Sequence, residues 1–165
     1  MNWTFNFKEV MAIAVQLEKN GAEFYGLAKA STDNPKHKKL FENLQEMELD
    51  HQISYEKIMN NLDSEKFGSE NDYQPGAETL AYLEAFAGGH VFDLNDNPQK
   101  QFAKCKNTPE ILRMAIQSEK DSIVFYLGIR NMVPPSLGKE QVDSIIDEEM
   151  GHIKALSYVL SEIED

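Results

Sequence analysis

Along most of the chain, apolar residues recur three and four positions apart, the spacing of one face of an α-helix. Four such stripes can be followed. The first reads Phe7, Met11, Ala14, Glu18, Gly21, Tyr25, Ala28 and predicts a helix from about Asn6 to about Ser31, with Asn6 and Glu9 as a capping box. Asp33-Asn34-Pro35 then supplies a turn, a cap and a proline at the first helical position. The second helix, over about 35–61, presents Phe41, Leu44, Glu48, His51, Tyr55, Ile58 and Leu62. A third starts at Thr108-Pro109, again read as a cap followed by proline, and lasts to about Met132. Its face is Leu112, Ala115, Glu119, Ser122, Tyr126, Ile129. Val133-Pro134-Pro135-Ser136 breaks it and caps a fourth, with Val142, Ile145, Glu149, His152, Leu156, Val159 and Ile163 along one side.

These stripes repeat. Glu48-Leu49-Asp50-His51 returns as Glu149-Met150-Gly151-His152, and Glu18 stands as far before the first copy as Glu119 before the second. One offset of 101 residues maps Glu18, Glu48 and His51 onto Glu119, Glu149 and His152. The stretches 14–25 and 115–126 agree at six of twelve positions, both ending in Phe-Tyr. The chain is therefore two helical hairpins, one a duplicate of the other. Between them lies a dissimilar connector, about 62–107: polar from Asp63 to Gln74, then a short helix over 75–87 stopped by Gly88-Gly89. Asn97-Pro98 starts another short helix through Phe102. A 24-residue helix is about 36 Å long, a span an extended chain covers in about 11 residues. The connector can thus cross the whole bundle, which makes the second and third helices parallel.

Composition adds constraints without changing this picture. With 165 residues, 41% of them hydrophobic, a single domain over 1–165 with a real core is expected. A formal net charge of −12 argues against nucleic acid as a partner and suits a protein that attracts cations. One cysteine, Cys105, excludes an internal disulfide framework. No run approaches the roughly 20 apolar residues of a membrane span, so a soluble cytoplasmic protein is the expectation.

Four carboxylates on apolar stripes at one core level are expensive. Each carries a desolvation cost of about several kcal/mol, and their mutual repulsion adds to it. No Arg or Lys lies on any stripe, and Lys19 and Lys120 sit one position off, toward the rim. Metal is the compensation that fits. Residues at i and i+3 project from one helix face, so Glu48 with His51, and Glu149 with His152, approach one centre. With Glu18 and Glu119 they form the carboxylate-rich set of a dinuclear site, in which four negative charges balance two divalent ions. Glu48 and Glu149 are expected to bridge. Glu18, His51, Glu119 and His152 are then terminal ligands, with the pairing of each histidine left open. Oxygen and imidazole donors suit iron or manganese, and zinc can occupy such a site. The rival is a duplicated bundle whose polar residues hydrogen-bond among themselves, and which would bind no metal.

This set of residues resembles the ferritin-like superfamily, most closely the rubrerythrin-type di-iron domain, over about 7–62 and 108–163. The resemblance implies an all-α, ferritin-like four-helix bundle with a long crossover. It also implies two iron ions, reaction with hydrogen peroxide or oxygen, and a homodimer. Two departures stand out. Rubrerythrins carry a rubredoxin domain with four iron-binding cysteines, so electrons must here come from an external donor such as a rubredoxin-like protein. They also place an extra glutamate one turn after the third-helix ligand, where this chain has Ser122. A non-haem peroxide reductase is the first reading. The alternatives are an iron-binding, ferroxidase or storage protein without reductive turnover, and a dimanganese catalase-like protein.

Tyr25 and Tyr126, two turns beyond Glu18 and Glu119, are the catalytic candidates, as hydrogen-bond donors to ligand carboxylates of neighbouring helices. The small residues Gly21, Ser122, Ala14 and Ala115 either leave space beside the metals or permit close helix packing. Tyr55, matched by Leu156, and Glu84 are weaker candidates. His37 and His90 read as surface or loop residues, Cys105 as an isolated thiol, and Met11, Met47 and Met114 as packing residues. Trp3 reads as an anchor for the N-terminus or for a subunit contact.

Overall fold

A computed structural model describes residues 7–61, 81 and 97–164. Five helices lie among them: α1 Phe7–Ala30, α2 Pro35–Asn60, α3 Pro98–Phe102, α4 Thr108–Ile129 and α5 Lys139–Glu164. No strand occurs among the described residues, and no helix there is long and apolar enough to cross a membrane. The capping box at Asn6, the helix over 75–87 apart from Ala81, Leu62, Trp3, Glu84 and His90 fall outside the described residues.

Asparagine side chains start three of the helices. Asn34 Oδ1 accepts from the Lys36 and His37 amides, and Asn97 Oδ1 from Gln99, each with proline as the next residue. The start of α4 corrects the sequence reading by one residue. Asn107, not Thr108, is the cap, its Oδ1 3.0 Å from the Glu110 amide. Glu110 in turn accepts from the Lys106 amide at 2.8 Å, tying down the residue before the cap. α4 stops at Ile129 rather than Met132: Arg130 is its C-cap, and the Met132 amide turns back to the Ile129 carbonyl at 2.8 Å. Ser136 does not cap the last helix either. Pro135–Leu137 form a 3-10 turn, Gly138 adopts φ 115°, and α5 begins at Lys139. A side chain at 138 would be strained by that backbone and would press on Ile58 Cγ1 at 3.1 Å.

α1 packs along α2, and α4 along α5. The hairpins then meet through α1 against α4 and α2 against α5. Short α3 rests on α1, where the Phe102 and Phe24 rings meet edge to face with centroids 5.7 Å apart. Two apolar cores fill the bundle. One holds Phe7, Met11, Tyr55, Ile58, Tyr126, Ile129, Val142 and Ile145. The other holds Phe24, Ala28, Phe41, Leu44, Leu112, Ala115 and Leu156. α1 and α5 run from the first core to the second, whereas α2 and α4 run from the second to the first. α2 and α4 are therefore parallel, as the long crossover requires. Each helix crosses from one core to the other at the level of its conspicuous Glu or Glu-His pair.

Candidate metal centre

Glu18, Glu48, His51, Glu119, Glu149 and His152 all converge in the layer between the two cores, and none is more than 4% exposed. Two overlapping clusters result. Glu18, Glu48, His51 and Glu149 offer one donor atom each, all within 4.8 Å of one another, and Glu48, Glu119, Glu149 and His152 do the same. Glu48 and Glu149 belong to both, the positions the sequence assigns to bridging carboxylates. The remaining pairs are Glu18 with His51, and Glu119 with His152.

Both imidazoles turn Nδ1 inward. His51 Nδ1 lies 3.0 Å from Glu149 Oε1 and 3.4 Å from Glu18 Oε2. His152 Nδ1 lies 3.0 Å from Glu149 Oε2, 3.3 Å from Glu48 Oε1 and 3.4 Å from Glu119 Oε1. The rings stack with centroids 5.7 Å apart. Close as they are, these approaches lack hydrogen-bond alignment. Glu18 Oε2, Glu48 Oε1, both Glu149 oxygens and both Nδ1 atoms are buried without a hydrogen-bond partner. Six converging, buried, unsatisfied donor atoms of hard oxygen and imidazole type fit a pair of divalent or trivalent metal ions.

The electrostatics point the same way. Burial, reinforced by Glu149, pushes Glu119 up to about 8. Burial and the surrounding carboxylates hold Glu48 well above the usual carboxylate range, and burial raises Glu18. Glu149, despite its burial, is held low by His152 and His51. Burial disfavours charge on the imidazoles, yet Glu149 and Glu18 outweigh it at His51, pushed up to about 11. Glu119 and Glu149 do so at His152, pushed up to about 10. Without metal the cluster thus retains protons that the same groups release in water, and a metal pair displaces them.

Around the cluster the duplication shows as an exchange between hairpins. Tyr126 Oη donates to Glu18 Oε1, and Tyr25 Oη donates to Glu119 Oε1. Each tyrosine thereby holds a terminal carboxylate of the other hairpin in one orientation; at Glu18 this leaves Oε2 facing His51, whereas at Glu119 the bonded Oε1 is itself the oxygen beside His152 Nδ1. Tyr55 is fully buried, its ring centroid 5.0 Å from that of Tyr126, with its hydroxyl unpartnered. The place beside Gly21 is not open space. A Cβ there would stand 2.5 Å from Glu48 Oε2, so glycine is what lets α1 lie against that carboxylate. Ala14 and Ala115 are buried in the apolar layers next to the cluster.

One neighbour escaped the sequence reading. Glu148, about half exposed, accepts from His51 Nε2 at 3.1 Å and from Ser144 Oγ at 3.1 Å. In isolation it looks like one more acid on a solvated face. Its counterpart in the repeat, at position 47, is methionine, so the duplication did not mark it. The other candidates stay outside the site. Lys19 pairs with Glu56 at 3.8 Å on the surface, and His37 lies in the first turn of α2. Cys105 Sγ contacts Met114 Sδ at 3.6 Å, and Met11 is part of the core.

No family profile and no curated protein matches this chain. A solved structure does. A Thermotoga maritima protein, provisionally described as a ferritin-like diiron-carboxylate protein, superposes with a TM-score of 0.73. The match covers 98% of this chain and 99% of that one, at 22% identity. The fold is ferritin-like. At that identity the likeness is one of architecture, and it extends from end to end of both chains.

Proposed function

We propose that this ferritin-like chain is a di-iron carboxylate protein that reduces hydrogen peroxide, or oxygen, with electrons from an external donor. The observation that carries the proposal is the pair of overlapping buried clusters sharing Glu48 and Glu149, with their inward atoms unsatisfied. Four carboxylates and two imidazoles match two divalent ions in charge, and the structural neighbour is described as a diiron-carboxylate protein. When bound, two ferrous ions supply the two electrons that break the O–O bond of peroxide; two protons complete two waters, and a one-electron donor protein restores the reduced state.

The chain's own residues set the stage for that chemistry. Glu48 and Glu149 stand between the two clusters and fix the spacing of whatever both clusters hold. Tyr126 and Tyr25 lock Glu18 and Glu119, so that neither carboxylate swings away when the charge at the centre changes. The apolar cores above and below shield the donor atoms from bulk water. The proposed donor is an electron-carrier protein of rubredoxin type, and a homodimer is the proposed assembly.

Anaerobic purification with metal quantification, followed by stopped-flow mixing of the reduced protein with peroxide, tests the reading. Oxidation of the ferrous centre faster than that of free iron, with repeated turnover when reductant is added, is the expected result. Oxidation no faster than free ferrous ion would sink it. Ser122, in place of the extra glutamate of rubrerythrin-type domains, favours a second reading: iron binding and oxidation without reductive turnover. That reading gives a single round of oxidation in the same experiment, whatever reductant is supplied.

A further inference from the structure

The six converging residues obey the repeat, but what supports them does not. His51 Nε2 is hydrogen-bonded to Glu148 at 3.1 Å, and Glu148 is itself braced by Ser144 at 3.1 Å. Once a metal displaces the proton on Nδ1, that bond keeps the remaining ring proton on Nε2 and leaves the Nδ1 lone pair aimed into the centre. Among the described residues His152 has no such support. Its Nε2 is buried without a hydrogen-bond partner. In the repeat, position 47 stands to His152 as position 148 stands to His51, and it carries methionine; asparagine at 43 replaces Ser144. A thioether does not hold a ring N–H as a carboxylate does. Nothing among the described residues fixes the ring of His152 in the tautomer that frees Nδ1, and its buried outer nitrogen goes unsatisfied.

We propose, building on the dimetal reading above, that the two halves of the centre are inequivalent. The half built on Glu18 and His51 takes the first metal ion and holds it more tightly, and Glu148 is the positioning residue responsible. The half built on Glu119 and His152 fills second. Outer partners of metal-binding histidines are worth roughly ten- to a hundredfold in affinity, which sets the expected gap between the two steps.

Anaerobic titration of the full-length apoprotein with cobalt(II), read by its visible absorption and by calorimetry, tests this directly. The native chain is expected to bind two equivalents in two steps at least about tenfold apart. His152→Ala should keep the tight step, and His51→Ala should lose it. Glu148→Ala should weaken the tight step until the two steps merge, whereas Glu148→Gln, which keeps an acceptor oxygen for Nε2–H, should restore much of the gap. Met47→Glu, supplying His152 with the missing partner, should close the gap by tightening the second step. Two steps of equal affinity in the native chain, or a tight step unchanged in Glu148→Ala, would overturn the inequivalence and leave the dimetal reading standing. Failure of the native chain to take up two equivalents would remove both.

Discussion

Gly21 offers the most discriminating perturbation of the centre. In Gly21→Ala the new methyl group would stand 2.5 Å from Glu48 Oε2, 3.1 Å from its Cδ and 3.3 Å from its Cγ. The carboxylate must retreat by about 0.9 Å to regain the 3.4 Å of ordinary contact. A side-chain tip moves readily at a surface, but Glu48 is 4% exposed and surrounded by the other ligands. Two terms then oppose each other in the metal-free protein. Alanine is better than glycine inside a helix by about 1 kcal/mol, while overpacking a filled site costs about 1–3 kcal/mol. The net destabilisation falls between nearly zero and about 2 kcal/mol. Metal binding has no such compensation. Ligand positions are tolerated to about 0.2 Å, so a displacement of about 0.9 Å takes Glu48 out of its bridging position between the two clusters. The expected outcome is a folded apoprotein with a near-native melting temperature and affinity for the metal pair weakened by well over tenfold. Gly151→Ala is the matched control, because a Cβ at that helical position meets nothing within 4 Å. It should raise stability slightly and leave metal binding alone. Native affinity in Gly21→Ala, measured by anaerobic cobalt(II) titration alongside apoprotein melts, would show that Glu48 does not bridge.

Two further perturbations follow from the same geometry. Tyr126→Phe and Tyr25→Phe each remove a buried hydrogen bond to a carboxylate, a loss of about 1.5–3 kcal/mol apiece if the acceptor is charged, and should loosen metal binding about ten- to a hundredfold; denaturant unfolding of the apoproteins and metal titration read the two effects, and near-native values in both would refute the positioning role. Stability of the metal-free protein should also fall as pH rises. Glu119 is raised from 4.5 to about 8, His51 from 6.5 to about 11 and His152 from 6.5 to about 10, so between those limits the folded state holds more protons than the unfolded one. Glu149, shifted the opposite way, acts only below its ordinary value of 4.5. Melts at about pH 6 and about pH 9, with and without metal, should show the apoprotein losing stability at the higher pH and the loaded protein keeping it, because metal has displaced the retained protons. An apoprotein as stable at the higher pH would contradict that electrostatic picture.

The bundle and the converging residues could be read from the chain because both are periodic signals. Glu18 and Glu119 are conspicuous only against apolar stripes, and Glu48-x-x-His51 acquires meaning only from its second copy. Features set by single contacts were not legible. Asn107 and Thr108 are both capping residues, and only backbone geometry shows that Asn107 takes the role. The 3-10 turn at Pro135–Leu137 depends on the left-handed Gly138, which resembles any other glycine in a loop. Gly21 could have marked open space or close packing, and what occupies the volume beside it is the Glu48 side chain. Glu148 was hidden because its side chain is about half exposed and its partner lies 97 residues away.

Several ties across the middle of this bundle run between its two halves. Glu149 completes the cluster of the first hairpin and Glu48 that of the second, while Tyr25 and Tyr126 each reach into the opposite half. Neither hairpin owns a whole binding site. The molecule is in effect a dimer written on one chain, with its ligands placed at the seam between protomers. A metal pair held there acts as a clasp, so occupancy and the docking of one half on the other are one equilibrium. Losing metal would then loosen the seam before it unravels either hairpin.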